Sequence, residues 1–201
     1  MKRFILFISL AICQLTISFA GESAKSVLDK CAAKVSAKEG LSAQFCMESA
    51  QYGNVNGSIE VKGTKFHAQT PVAVMWFDGK TQWTWLQKNN EVSVTTPSEA
   101  QLQAINPYNF INMYKKGYNY TMSTSGTSYV VHLTATDNSR KVQEMFITID
   151  KKNYTPSKVK MRQGTKWTNF VISNLKITSI DDATFRFKSA DYPTAEVIDL
   201  R

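Results

Sequence analysis

Few side chains in this sequence have the type and spacing that catalysis needs. Its two histidines, His67 and His132, stand far apart, and its three cysteines are Cys13, Cys31 and Cys46. Zinc sites draw on His and Cys at short fixed spacings. No HExxH, paired CxxC, GxSxG elbow or phosphate-binding glycine loop occurs. A cysteine paired with a histidine can be drawn in almost any chain of this length. Asp181 and Asp182 are neighbours; on a strand they would point to opposite faces, which suits a turn cap better than a shared proton. The sequence therefore points to no enzyme, no metal and no cofactor. Each histidine reads as an ordinary strand residue.

What recurs instead is large apolar side chains on alternate positions. Phe45 and Met47, Phe66, Val74 and Trp76, and Trp83 with Trp85 mark the first half of the chain. Val131 and Leu133, then Met145, Ile147 and Ile149, then Val159, Met161 and Val171 mark the second. Between and beside Val159 and Met161 lie Lys158, Lys160 and Arg162, so one face is wet and the other dry. Two readings stay open. A dry face covered by helices is a packed core. A dry face rich in methionine and aromatic rings also suits an apolar cavity, because those side chains adapt to ligands of varied shape.

The elements that position these residues follow from periodicity. Glu22 to Ala37 reads as a helix, with Ser23 as N-cap and Val27, Leu28, Cys31 and Val35 on one stripe. From Leu41 the period becomes two. Strands are expected at Leu41 to Glu48, Val55 to Lys62, Lys65 to Gln69, Val72 to Phe77, Thr81 to Gln87 and Glu91 to Val94. Asp78-Gly79 is the sharpest turn signal, expected to form a type I′ hairpin. Pro97 to Lys116 reads as helical, broken at Asn106-Pro107, with Ser98 as a cap and Gly117 as a stop. Leu102, Ile105, Phe110, Ile111 and Met113 give this insertion apolar sides. Strands resume at Tyr118 to Thr124, Ser128 to Thr136, Gln143 to Asp150, Pro156 to Gln163, Trp167 to Thr178 and Thr184 to Lys188. Short strands at hairpin spacing argue one antiparallel sheet, curled or closed, in one domain.

Compartment is set at the N-terminus. Lys2 and Arg3 precede the uncharged run Phe4 to Ile12, and Ser18-Phe19-Ala20 offers a cleavage site. Residues 1–20 read as a secretory signal peptide and 21–201 as one domain of roughly 180 residues. An uncleaved anchor, or lipid attachment at Cys13, fits less well: the apolar run is short, and Ile12 is bulky for a lipoprotein cleavage site. Losing Lys2 and Arg3 lowers the formal charge from +8 to +6, spread along the chain with no long like-charge run. With export, nucleic acid is excluded as a partner. Cys31 and Cys46 then remain, as a disulfide or as two free thiols.

The stretch GSIEVKGTKFHAQTPVAVMWFDGKTQWTW, Gly57 to Trp85, carries a glycine and apolar strand, then Phe66, Pro71, Asp78-Gly79-Lys80 and aromatics. With Asn106-Pro107 opening the helical insertion and Phe185-x-Phe187 near the end, the chain resembles the periplasmic outer-membrane lipoprotein carriers, the LolA-like proteins. The resemblance implies a mainly β fold with helices: an open, incomplete antiparallel β-barrel of about eleven strands, with a helical lid over an apolar cavity. It implies a periplasmic monomer that binds lipoprotein acyl chains without covalent chemistry. An inner-membrane ABC-type complex would load it and an outer-membrane acceptor would unload it. The alternative is a binding or sensor protein of the same fold for another lipid or an envelope protein. The expected cavity and lid residues are Phe45, Met47, Phe66, Trp76, Trp83 and Trp85; Leu102, Ile105, Phe110, Ile111 and Met113; and Leu133, Met145, Ile147, Val159, Met161 and Val171. One departure stands out. Many family members carry a lid-latching arginine after the strand matching Ile59 to Lys62, where this chain reads Lys62-Gly63-Thr64. Lysine lacks the guanidinium fork.

Overall fold

The computed structural model describes residues 21–35, 38–50, 53–98, 101–102 and 113–201. Helix α1 spans Ala24–Val35. The Ser23 hydroxyl accepts the N–H of Ser26 at 3.1 Å, satisfying one of the donors a helix start leaves open. The apolar stripe is fully used: Val27, Leu28, Cys31, Ala32 and Val35 are buried.

The first six strands are β1 (Leu41–Ser49), β2 (Gly53–Lys62), β3 (Lys65–Gln69), β4 (Ala73–Phe77), β5 (Gln82–Leu86) and β6 (Glu91–Thr95). Beyond residues 96–117 come β7 (Tyr118–Ser125), β8 (Ser128–Ala135), β9 (Glu144–Asp150), β10 (Pro156–Gln163), β11 (Lys166–Ile177) and β12 (Glu196–Asp199). They form one sheet in the order β12-β6-β5-β4-β3-β2-β1-β11-β10-β9-β8-β7. Neighbours are antiparallel except β12, which runs parallel to β6. The first strand and the eleventh join the two halves, with a register shift between Ser42 and Gln44 opposite Asn174, whose φ is +52°. The sheet order ends at β12 and β7, which do not pair with each other, so the sheet is an open barrel.

Cross-strand pairing fixes which side chains share a face. Leu41 pairs Val61, which pairs Phe66, which pairs Phe77. Val131 pairs Ile147, which pairs Val159. These residues belong to one core cluster with the stripe of α1 and are at most 5% exposed. This is the inner face. Gly57 belongs to it for a steric reason: a Cβ there would overlap the Phe45 ring and the Gln69 carbonyl.

The helix is tied over the second half of the sheet. Tyr129 and Tyr154 donate their hydroxyls to Glu22 at 3.1 and 3.0 Å, and Lys30 completes the cluster as an ion pair. Tyr114 donates to Asp29 at 2.5 Å, and Lys25 holds the other carboxylate oxygen at 2.6 Å. The Lys30 and tyrosine hydrogen bonds keep the Glu22 carboxyl below its usual range, against a smaller opposing effect of burial.

The described residues form twelve strands, in keeping with the eleven or so expected. Several other expectations are corrected. Thr184 to Lys188 is no strand: Asp182–Phe185 is a 3₁₀ turn, capped by the Asp181 carboxylate on the N–H of Ala183 at 2.9 Å. The Asp78-Gly79 turn is no type I′ hairpin. Only Gly79 has positive φ, +102°, while the Asp78 carboxylate accepts the N–H groups of Lys80 and Thr81. The Asp78 N–H also donates to the Thr81 carbonyl at 3.2 Å, so the hairpin closes over Gly79-Lys80, one residue on, with the Asp78 side chain forming an Asx turn. Cys31 and Cys46 are both free. They cannot meet, because Cys31 faces the core from α1 while Cys46 lies on the outer side of β1, paired with Val171. Burial pushes the Cys31 thiol up to about 12, leaving it an inert core residue. Of the lid, Ser98 accepts the N–H of Gln101 at 3.3 Å as a cap, and residues 101–102 are helical. Ile105, Phe110 and Ile111 lie outside the described residues.

Candidate functional site

The inner face is the candidate site, and it divides by depth. Leu133, Met145 and Ile147 are at most 1% exposed, and Val159, Met161 and Met113 are also buried. They are packed against α1 and one another. Around this filled centre lies a rim of half-buried residues: Phe45, Met75, Leu102, Tyr120, Phe170 and Ile172, with Met122 and Leu175 beside them. Phe45 and Phe170 meet edge to face, centroids 6.3 Å apart. Met47 joins this rim, opposite Phe170 and Val55. Leu102, in the described start of the helical insertion, packs on the same cluster.

The apolar surface ends at β5 and β6. Pairing carries the inner face from Phe77 to Gln82 and Thr95, and from Met75 to Thr84 and Ser93. Gln82 is buried, its Nε2 donating to Thr84 at 3.1 Å and its Oε1 without a partner. It borders a cavity of about 450 Å³ with Thr96, Pro97, Gln101 and Arg201. Polar groups thus bound the apolar floor at its lid-proximal end.

The other expected site residues lie elsewhere. Trp76 pairs His67 and Trp83, and Trp85 pairs Val74 and Val92. These positions alternate with Met75 and Phe77, so they face outward. There they meet the C-terminal segment. Phe187 and Tyr192 each lie 5.5 Å from Trp76, and Tyr192 lies 5.1 Å from Trp85, centroid to centroid. Phe185 is fully buried. Asn90, at φ +53°, accepts from the Trp85 indole and donates to the Thr194 carbonyl. Trp76 is therefore buried under the chain's own end, with Trp85 beside it against Tyr192, and Trp83 lies half-buried on the same outer face. Val171 also faces outward and is 40% exposed, because Phe170 and Ile172 take the inner positions beside it.

Lys62 is engaged by the C-terminal segment. Its ammonium donates to the Ile180 carbonyl at 2.9 Å and pairs with Asp182 at 2.9 Å, and Lys65 holds the other oxygen at 2.8 Å. Lys65 first and Lys62 second bring the Asp182 carboxyl down to about 2. Lys62 thus anchors the C-terminal segment. Nothing short of the register could have revealed this, since Glu60 and Lys62 alternate outward from Ile59 and Val61.

His67 binds Glu60 at 3.0 Å and stacks on Trp76; His132 binds Glu144 at 2.8 Å and stacks on Phe146. Both are outward strand residues. Among the described residues no group of three or more His, Cys, Asp or Glu could hold a metal. A groove of about 570 Å³ is lined by Phe45 and Gly57 together with Cys46, Asn56, Pro71 and Val171, so the Phe45 end of the rim borders it.

An open antiparallel half-barrel with a helix on its inner face defines a LolA-like binding fold. Residues 15–165 match the family described as outer membrane lipoprotein carrier protein LolA, and the chain belongs to that family. The family is one of periplasmic carriers without catalytic chemistry, which places this chain in the periplasm. All of β11 and the whole C-terminal segment lie beyond the matched span. No curated protein sequence matches the chain. An uncharacterized conserved protein from Thermus thermophilus has the same fold, with a TM-score of 0.58 at 12% identity over 88% of this chain and 98% of that one. A LolA superfamily protein from Nitrosomonas europaea is similar at 12% identity over 83% and 98% of the two chains, with a TM-score of 0.45. So is a chain of the Pseudomonas aeruginosa MucA/MucB complex, at 12% identity over 80% and 60%, with a TM-score of 0.40. The first likeness shows the fold, and the other two add nothing to it.

Proposed function

We propose that this chain is a periplasmic binding protein that takes acyl chains onto the inner face of its half-barrel, beneath the helical insertion. The observation that carries this reading is the half-buried rim of Phe45, Met75, Tyr120, Phe170 and Ile172 around a continuous apolar core, with Leu102 packed on it. Moving one CH₂ from water to such a surface gains about 0.8 kcal/mol, so a chain of a dozen carbons is held with useful affinity even on a partly open face. The rim is built of rings and thioethers, which adjust to a flexible ligand.

Two cargoes fit this face. In the first reading the acyl chains belong to a lipid-modified protein, received from an inner-membrane ABC-type complex and passed to an outer-membrane acceptor. In the second the ligand is another lipid or an envelope protein, and the chain acts as a sensor or local carrier. The engagement of Lys62 with Ile180 and Asp182 favours the second, because it removes the family's means of latching the lid. Mass spectrometry of material co-purified from the periplasm separates them. Peptides with an acylated N-terminal cysteine support the shuttle, and free lipid or an unmodified partner supports the sensor. Absence of any acyl species, with Phe45→Asp binding a fluorescent fatty acid as well as the wild type, would contradict both.

A further inference from the structure

The outer face of β9–β11 carries a cluster that the acyl-binding reading leaves unused. Along β10 the outward positions are Lys158, Lys160 and Arg162, while Val159 and Met161 between them are buried. Register places Phe146 beside Lys160, and Trp167 beside Arg162. The Lys160 ammonium sits 4.4 Å from the Trp167 ring centroid, and the Arg162 guanidinium 5.8 Å from it. Phe146 lies 6.1 Å from Trp167, and the His132 ring stacks on Phe146 at 4.2 Å. Val171, opposite Lys158, adds an exposed apolar side chain.

The charges on this face do not cancel. Glu144 is held by Arg162 at 2.9 Å and by His132 at 2.8 Å; these hydrogen bonds, the Arg162 one first, lower its carboxyl against burial. That carboxylate offsets the arginine. Among the described residues neither Lys158 nor Lys160 has a carboxylate partner, and Glu48 lies two strands from Lys160, beyond Asn169. Phe146, Lys160 and Trp167 line none of the cavities described above, so the cluster is a surface rather than a pocket. An indole whose face is covered by an ammonium, flanked by a second lysine and an exposed valine, has the make-up of a membrane-interface anchor. The ring settles at headgroup depth and the ammonium groups meet lipid phosphates.

We propose that this outer face, centred on Trp167, docks the chain reversibly onto a bilayer surface bearing anionic phospholipid headgroups. The site lies on the opposite side of the sheet from the acyl-binding face, and its test is independent of that reading. Partition of the full mature chain is measured by co-sedimentation with phosphatidylcholine vesicles, with and without phosphatidylglycerol. Binding is expected only with the anionic lipid and should weaken steeply with salt. The Lys158→Ser/Lys160→Ser variant should bind about 25-fold more weakly, at roughly fivefold per cation. Lys34→Ser/Lys38→Ser removes the same charge near the helix and should bind like the wild type. Lipids brominated near the headgroup should quench tryptophan emission, and Trp167→Phe should abolish most of that quenching while keeping the wild-type melting curve. Inorganic phosphate at constant ionic strength should not displace the vesicles. Equal binding to neutral and anionic vesicles, equal losses in the two double-lysine variants, undiminished quenching in Trp167→Phe, or displacement by free phosphate would each overturn the proposal.

Discussion

Around β4 the sheet is apolar on both sides, β3 adding inward residues and β5 and β6 outward ones, and the two sides are covered in different ways. Inward, Phe66, Ala68, Met75 and Phe77 join the core beneath α1, with a half-buried rim where Met75 and Phe45 stand. Outward, Val74, Trp76, Val92 and Val94 are buried under the C-terminal segment, through Phe185, Phe187 and Tyr192. A face sealed by the chain's own end is a core: its cover is covalently attached and always present. A face whose edge stays half exposed keeps room for something that comes and goes. The rings that look most like a ligand site in the sequence, Trp76, Trp83 and Trp85, are on the sealed side. The less conspicuous Phe45, Met75 and Phe170 are on the open one.

That contrast can be broken by experiment, and the largest effect is expected on the sealed side. Phe185→Ala should cost about 3–5 kcal/mol in urea unfolding and leave fatty-acid affinity near that of the wild type. A collapse of affinity at preserved stability would put the ligand under the C-terminal segment. Phe45→Asp should do the reverse, lowering fluorescent fatty-acid affinity at least tenfold while shifting the urea midpoint little, because the side chain is only half buried. Gly57→Ala should destabilise by about 1–3 kcal/mol through the clash with the Phe45 ring and the Gln69 carbonyl. It should disturb ligand binding as well, since the displaced ring belongs to the rim. A fully neutral Gly57→Ala would remove Phe45 from its assigned position.

The smallest effect is electrostatic. Lys65 and Lys62 hold the Asp182 carboxyl at about 2, below its ordinary 3.8. The ion pairs therefore stabilise the folded chain fully above about pH 4, and this contribution fades as pH falls through the carboxyl's own pKa. Tryptophan emission from the sealed layer, followed between pH 5 and 2, should report loosening of the segment. Asp182→Asn should flatten the part of the transition that belongs to this group, and an identical acid profile would show that the lysine clamp does not hold the segment.

How much of this can be read from the sequence depends on what covers each strand. The strands β8 to β10 are mostly wet on one side, so Val131, Leu133, Met145, Ile147, Val159 and Met161 alternate with largely polar residues, Val130 and Phe146 excepted, and the inner face is readable there. On β4, AVMWF is apolar on both sides because both sides are covered, and on β5, QWTWL, the apolar positions are the outward ones. Alternation then cannot say which side is which, and it sets the tryptophans inward with Phe66. The middle of the cover, Thr184 to Lys188, reads as a strand by composition. The cover is held instead by the 3₁₀ turn, by Lys62 and by Asn90, contacts between residues far apart in the chain. Val171 is read one position out of phase, a slip that flips a side chain to the other face. The open half-barrel follows from strand spacing and family resemblance together, because neither a lid nor an edge leaves a mark in periodicity.

The most direct test of the inner-face assignment places a reporter on each side of the same sheet. In a Phe45→Trp variant, a soluble fatty acid brominated along its chain should quench the new indole strongly, leaving the emission of Trp76, Trp83 and Trp85 nearly unchanged. Quenching of the native tryptophans with none at position 45 would place the ligand on the outer layer and contradict the account.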